Sequence, residues 1–378
     1  MRNSAPDDRP ITQFVARPGV LDLGWGHPRP DLLPTGAWAE ATARAMRESG
    51  WRALTYGHPA GPAPLIEWLG AGFGRTFVTA GASHALSLVS TVLTEPGDTV
   101  LVDAPTYHLA LRVLADRGVR LVRAPAGDAA AIEAQVGDLR RTGHRVSLLY
   151  LVPTFGNPTG RSLTAAERDA LLRVAEAARL TVVEDDTYRE LAYDGSPPPA
   201  LWDLARGADF VVRIGSFAKT VAPGLRLGWV NAAPALIRRL ADLGYVDSGG
   251  GVNHTTAMTM AVFGSSGAYA DHLATIREAY RAQRDALAGG LGVPAPAGGW
   301  FLWLRLPAPW TAASLLPEAE SRGVSFLDGT RFFAGDGGDG ADHVRLSFSL
   351  YPPADLAEAA RLFRAALSAP SGSAESSR

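Results

Sequence analysis

Among 36 basic side chains a single one is a lysine, Lys219; the other 35 are arginines. An arginine stays protonated, whereas a lysine amine can lose its proton and attack a carbonyl to form a Schiff base. Where arginine serves every need for a positive charge or a long stem, the surviving amine points to a task that arginine cannot perform. Chance survival of a surface lysine is the alternative, and the local sequence decides between them. Lys219 stands in Ser216-Phe-Ala-Lys219-Thr-Val-Ala-Pro-Gly-Leu-Arg226, directly after the apolar run FVVRI at 210–214. Ser-x-x-Lys is also the spacing of acyl-serine enzymes, but their Ser-Asp-Asn and Lys-Thr-Gly partners are missing from the chain. Two further loops leave apolar runs in the same way. Asn157-Pro-Thr-Gly160 is a turn whose asparagine amide can donate to a phenolate-like oxygen, and Asp185 with Tyr188 sets an acid and a phenol around one turn. Gly81-Ala82-Ser83 opens a helical pattern, where backbone N–H groups and the helix dipole favour an anion.

In this order, Asn-Pro-x-Gly, Asp-x-x-Tyr and Ser-x-x-Lys with a following arginine, the chain resembles the pyridoxal-phosphate (PLP) enzymes of fold type I. Within them it is most similar to the class I and II aminotransferases of the 2-aminoadipate and MocR-associated branch, over about residues 21–367. The resemblance implies that Lys219 holds the aldehyde of pyridoxal 5'-phosphate as a Schiff base and moves a proton. Asp185 would then pair with the ring nitrogen, and Asn157 and Tyr188 would hydrogen-bond the ring oxygen. It assigns the phosphate to Gly81, Ala82 and Ser83 with Ser216 and Arg226, the stacking ring to Tyr107, and the substrate carboxylate to Arg345, with Gly26 and Asn157 beside it. Tyr56, in Tyr-Gly-x-x-x-Gly, would reach the phosphate of a neighbouring subunit, so a homodimer is implied. Trp300 and His254 are expected to set selectivity among amino-acid and oxo-acid substrates.

The elements that must position these groups follow from periodicity. Short Val- and Leu-rich runs at 99–103, 120–123, 146–152, 181–184 and 210–214 predict buried strands. Helical patterns intervene at 84–93, 107–117 and 164–179, the last opening with a Thr164-x-x-Glu167 capping box. Alternation of this kind predicts an α/β core with a mostly parallel sheet covered on both faces, which the resemblance makes seven-stranded, and functional groups beyond the carboxyl ends of its strands. The organisation expected is an arm at 1–18, a segment at 19–48 joining a smaller domain, a large cofactor-binding domain at 49–288, a small α+β domain at 289–367 and a disordered tail at 368–378.

A net charge of −2 gives no electrostatic reason to expect nucleic acid or an acidic membrane, and no run is long and apolar enough to span one. With no cysteine, disulfides and thiolate metal sites are excluded; the eight histidines lack ligand spacing, no metal is expected, and the cytoplasm is the expected compartment. Gly335-x-Gly337-x-x-Gly340 matches a dinucleotide fingerprint but neither follows a strand nor opens a helix, and reads as a loop. The chain departs from the family pattern after Trp68, at Gly298-Gly299-Trp300-Phe301, at Asp328-Gly329 and in the glycine-rich 247–254 segment. Transamination is the first expectation. A lyase, replacement or carbon-carbon bond-forming enzyme of the same fold is the second. A PLP-binding sensor is the third, set back because the regulators of that branch carry an N-terminal DNA-binding domain.

Overall fold

A computed structural model describes residues 17–335 and 337–369. Most of the expected arm and tail, and Asp336 in the glycine-rich loop, lie outside the described residues. In chain order the strands are β1 (Leu21–Asp22), β2 (Thr76–Thr79), β3 (Thr99–Asp103), β4 (Arg120–Ala124), β5 (Val146–Leu151), β6 (Thr181–Asp185), β7 (Val211–Ser216), β8 (Gly228–Asn231), β9 (Phe301–Arg305), β10 (Val324–Ser325), β11 (Leu327–Asp328) and β12 (His343–Ser347).

Seven of them form one sheet in the order β2-β8-β7-β6-β5-β3-β4, parallel except for β8, which runs against both neighbours. The runs read as uninterrupted apolar stretches because helices cover both faces. Leu101, Leu149, Leu151, Val182 and Val211 point into one buried cluster. The alternate residues Val100, Val102, Leu148, Val183 and Val212 point into the other. The Thr164 capping box forms as expected, Glu167 N donating to Thr164 Oγ1 at 3.2 Å and Thr164 N to the Glu167 carboxylate at 2.7 Å, and it starts the helix Ala165–Ala177. Sequence reasoning missed the helix Ala129–Arg141, capped by Asp128, and the short strands β2 and β8.

Three strands form a second, antiparallel sheet, β11-β12-β9, with β12 central. Arg345 sits on β12 opposite Trp303 and Leu327. The segment at 19–48 divides its contacts: β1 pairs in parallel with β10, while the helix Thr35–Ser49 packs on the helix His254–Ser265. The helix Ala268–Leu291 runs past residue 288 and lies along the C-terminal helix Pro353–Leu367. The stretch around Gly335–Gly340 is made of turns and bends among the described residues.

Candidate active site

Chain direction puts the ends of β3, β5, β6 and β7 along one edge of the large sheet, and a cavity of about 630 Å³ opens there beneath the small sheet. From the large sheet it collects Tyr107 after β3, Asn157 after β5, Asp185 at the end of β6 with Tyr188 after it, and Ser216 at the end of β7 with Lys219 after it. Ala82 and Ser83 follow β2 through Gly81, and Arg226 comes from the turn before β8. Gly26 and Arg345 close the cavity from the other side.

The Lys219 Nζ donates to the Gly26 carbonyl at 3.2 Å and lies 4.6 Å from the centroid of the Trp300 ring and 5.9 Å from that of Tyr188. Burial, with Arg345 and Arg226 nearby and Asp185 opposing, pushes its amine down to about 8. A lysine so perturbed exchanges protons near neutral pH and is nucleophilic there.

Asp185 ends β6 almost fully buried. Its Oδ2 accepts from the Tyr150 hydroxyl at 2.9 Å, and its Oδ1 accepts from Thr187 N at 3.3 Å and from the Thr187 hydroxyl. Burial raises the carboxyl above its ordinary range, against the hydrogen bonds from Thr187 and Tyr150. A cation brought to it would restore the carboxylate. Tyr188 is raised by burial, and its side chain is hydrogen-bonded to Asn157. Tyr107 is likewise raised to about 12 by burial, and so stays a neutral phenol.

Arg345 is buried and has no carboxylate partner among the described residues. Its Nη1 donates to Asn157 Oδ1 at 2.9 Å and its Nη2 to the Gly24 carbonyl at 2.6 Å, while Nε has no partner. The guanidinium lies 4.2 Å from the Phe301 ring centroid and 5.1 Å from that of Phe332, and burial pushes it down to about 10. A buried cation without a counter-ion costs several kcal/mol, which an arriving anion offsets.

At the other end, the helix Ala82–Leu93 starts with no side-chain cap, leaving its first N–H groups for an anion. Gly81 enters at φ +95°, a backbone conformation that favours glycine, and a Cβ there would stand 3.0 Å from Arg226 Nη2, so the loop and the guanidinium lie close together. An amine, a buried carboxylate, an anion cradle and an unpaired guanidinium in one cavity fit pyridoxal phosphate at its carbonyl, ring nitrogen and phosphate, with a carboxylate-bearing substrate beside it.

Four expected residues do not line this cavity: Gly81, which sits just behind Ala82 at the start of the cradle, and Trp300, His254 and Tyr56. Trp300 is fully buried, packed edge-on against Tyr188 and Tyr280, and cannot meet a substrate side chain. Its expected direct role in selectivity is corrected by that burial: Gly299, at φ +76° against Phe155, turns the indole beneath Lys219. His254 instead faces the 52–57 segment, with Nε2 3.2 Å from the Arg52 carbonyl. Tyr56 is 85% exposed, outside the site of its own chain. Sequence reasoning missed Tyr150, which reads as strand core, and His108 and Arg331, which line the cavity. His108 is pushed down to about 4, chiefly by burial and then by Arg345 and Arg331, and stays neutral. Among the described residues no group of His, Asp or Glu could hold a metal ion, and no helix is long and apolar enough to cross a membrane.

Fold and cavity together define an enzyme that works on amines through a phosphorylated carbonyl cofactor. Residues 18–363 match the family described as aminotransferase class I and II. The chain is 34% identical to a 2-aminoadipate transaminase of Thermus thermophilus, covering 97% of this chain and 94% of that protein. It is 31% identical to aromatic-amino-acid aminotransferase 1 of Thermococcus litoralis, over 94% and 89%. The crystal structure of the alpha-aminoadipate aminotransferase LysN from Thermus thermophilus, complexed with N-(5'-phosphopyridoxyl)-L-leucine, superposes with a TM-score of 0.83 at 33% identity, over 93% of this chain and 92% of that one. The chain belongs to the class I and II aminotransferases, and is a pyridoxal-phosphate-dependent enzyme of fold type I acting on amino acids and oxo acids.

Proposed function

We propose that Lys219 is the residue that bonds the cofactor and carries the proton in this transamination, with Asp185 at the ring nitrogen and Arg345 on the substrate α-carboxylate. Pyridoxal phosphate supplies a carbonyl for the amine and a ring that draws electrons from the bond being broken. Lys219 holds or returns the proton, with an amine near 8 suited to both directions. Asp185, itself held by Tyr150 and Thr187, would keep the ring nitrogen protonated. Asn157 and Tyr188 would hold the ring oxygen, Tyr107 would lie against the ring, and Gly81 to Ser83 with Ser216 and Arg226 would hold the phosphate.

The observation that carries this reading is the unpaired Arg345 guanidinium in the cavity that holds Lys219. Exchange of Arg345 for lysine should raise KM for every accepted amino acid by a similar factor of about 10 to 100, because a point charge cannot copy the planar fork. An unchanged KM would assign the carboxylate elsewhere.

A second cation supports a finer reading, in which the substrate side chain ends in an acid. Arg331 lines the cavity with no ion pair among the described residues, whereas Arg17, on the same wall, is already paired with Asp22 and Glu320. Its neighbour Phe332 packs under Arg345 and accepts from Thr106 N at 2.9 Å, which fixes the turn. The name of the Thermus relative, a 2-aminoadipate transaminase, agrees with that chemistry. Steady-state kinetics of Arg331→Gln should show KM raised about two- to fivefold for 2-aminoadipate and glutamate, the range of an exposed ion pair, with norleucine unaffected. An equal change for all three sinks the acidic subsite.

We also propose a homodimer and a cytoplasmic location. Trp51, Leu54, Tyr56 and Tyr245 are large apolar side chains more than 60% exposed. Tyr56 and Tyr245 pack on the glycines of the Val246–Gly250 turn, and Tyr245 meets His84 at 6.0 Å beside the anion cradle. A second copy seated there would cover the patch and bring its own Tyr56 toward this cradle. The cysteine-free composition agrees with a reducing compartment.

A further inference from the structure

The indole of Trp300 is costly to bury. It is 0% exposed, and its Nε1 has no hydrogen-bond partner, although a buried indole N–H ordinarily finds one. Leucine or phenylalanine would fill core space without that orphaned donor. What the indole offers that they lack, or offer less of, is its broad electron-rich face, and that face is turned to the Lys219 Nζ at 4.6 Å. The same nitrogen donates to the Gly26 carbonyl at 3.2 Å. The amine thus has a carbonyl oxygen and a π-face within reach, both of which attract an ammonium and gain little from a neutral amine.

Pinning is thorough. Gly299 N donates to the Leu191 carbonyl at 2.9 Å, the Gly299 carbonyl accepts from the Tyr193 hydroxyl at 2.7 Å, and the Trp300 carbonyl accepts from Phe348 N at 3.0 Å. Tyr188 and Tyr280 hold the ring edge-on.

We infer that Trp300 is a positioning residue for Lys219: its ring face and the Gly26 carbonyl form a dock that receives the protonated amine after it has taken the proton from the substrate carbon. In that step the C–H bond at the α-carbon breaks, an N–H bond forms at Nζ, and the electron pair left behind is drawn to the cofactor ring. The new ammonium would otherwise face the cations Arg345 and Arg226, with Asp185 as the one carboxylate acting on it and Tyr107 and Tyr188 as neutral phenols. Trp300 offsets that repulsion without adding a second acid, which would compete with the substrate carboxylate for Arg345. This rests on Lys219 acting as the proton carrier, but its test reads the amine itself.

Because Lys219 is the only side-chain amine, an acylating reagent applied to the full-length protein stripped of cofactor reports Nζ alone on its peptide. The rate should follow the neutral fraction, with a midpoint near 8 in the parent protein. Trp300→Leu should lower that midpoint by about one pH unit, making Nζ about tenfold more reactive well below it, because the lost face stabilised only the cation. Trp300→Phe should recover part of the shift. Ring-fluorinated tryptophan at all nine tryptophans keeps the shape, weakens the face and should lower the midpoint in the same direction. An unchanged midpoint in the fluorinated protein, or in Trp300→Leu with native near-ultraviolet dichroism, overturns the dock. If the midpoint shifts but borohydride leaves no cofactor on Lys219, the dock stands and the assignment of Lys219 as cofactor-bonding residue fails.

Discussion

Replacing Lys219 with arginine should abolish transamination, with kcat falling by at least about 10⁴-fold, the upper range for loss of a positioned acid-base group, because the guanidinium can neither bond the cofactor nor release a proton. Charge and length are nearly kept, so the loss isolates the chemistry of the amine. Borohydride reduction of the cofactor-loaded parent protein should place the whole cofactor mass on the single peptide containing Lys219, the only side-chain amine that can retain it. In Lys219→Arg the label and the visible absorption band should both vanish. A band that persists, or a label found on another peptide, would remove Lys219 from the centre of the site.

Exchange of Asp185 for alanine should reduce kcat by about 10² to 10³, the usual loss when one preorganised electrostatic partner is removed. The cofactor phosphate end is untouched, so binding of the cofactor should survive. Asp185→Asn keeps the shape and an acceptor for Thr187, puts an amide NH2 where Oδ2 accepts from Tyr150, whose hydroxyl can turn to accept instead, and should fail almost as badly, which separates charge from shape. Stopped-flow absorbance under single turnover is the measurement that distinguishes slow chemistry from slow release. Asp186 is poorly placed to substitute, since it is engaged by Arg213 at 3.0 Å and Arg189 at 3.8 Å. Near-normal turnover in Asp185→Ala would mean that the ring nitrogen needs no carboxylate here.

What could be read before the fold was known has a common physical character. Asn157, Asp185, Ser216 and Lys219 all lie at or just past the ends of buried parallel strands, where the chain must leave the sheet and where both the apolar run and the polar residue that closes it stand out. Arg345 was found within a strand of the small sheet because its sequence neighbours matched a pattern, not because its burial could be foreseen. Tyr150 was lost for the opposite reason: inside the run VSLLYL it looks like core, and only the register of β5 beside β6 brings its hydroxyl to Asp185. Trp300 was misread because the direction of a side chain after two glycines depends on their dihedral angles, which composition does not specify. Arg331 carries no local signal among 35 arginines. The short strands β2 and β8 were missed because four residues are too few to show a period.

The hydrogen bond from Arg345 to the Gly24 carbonyl joins residues 321 positions apart, and β1 is paired only when β10 has arrived. The two walls of the catalytic cavity are therefore made at different times during synthesis. The sheet that presents Lys219 and Asp185 can close while the last strands are still inside the ribosome, but the wall bearing Arg345 cannot. Long-range closure of this kind is slow and comes late. A nascent chain thus acquires the residue that holds an aldehyde before the wall that chooses an amino acid, and for that interval its one side-chain amine stands on a half-built surface.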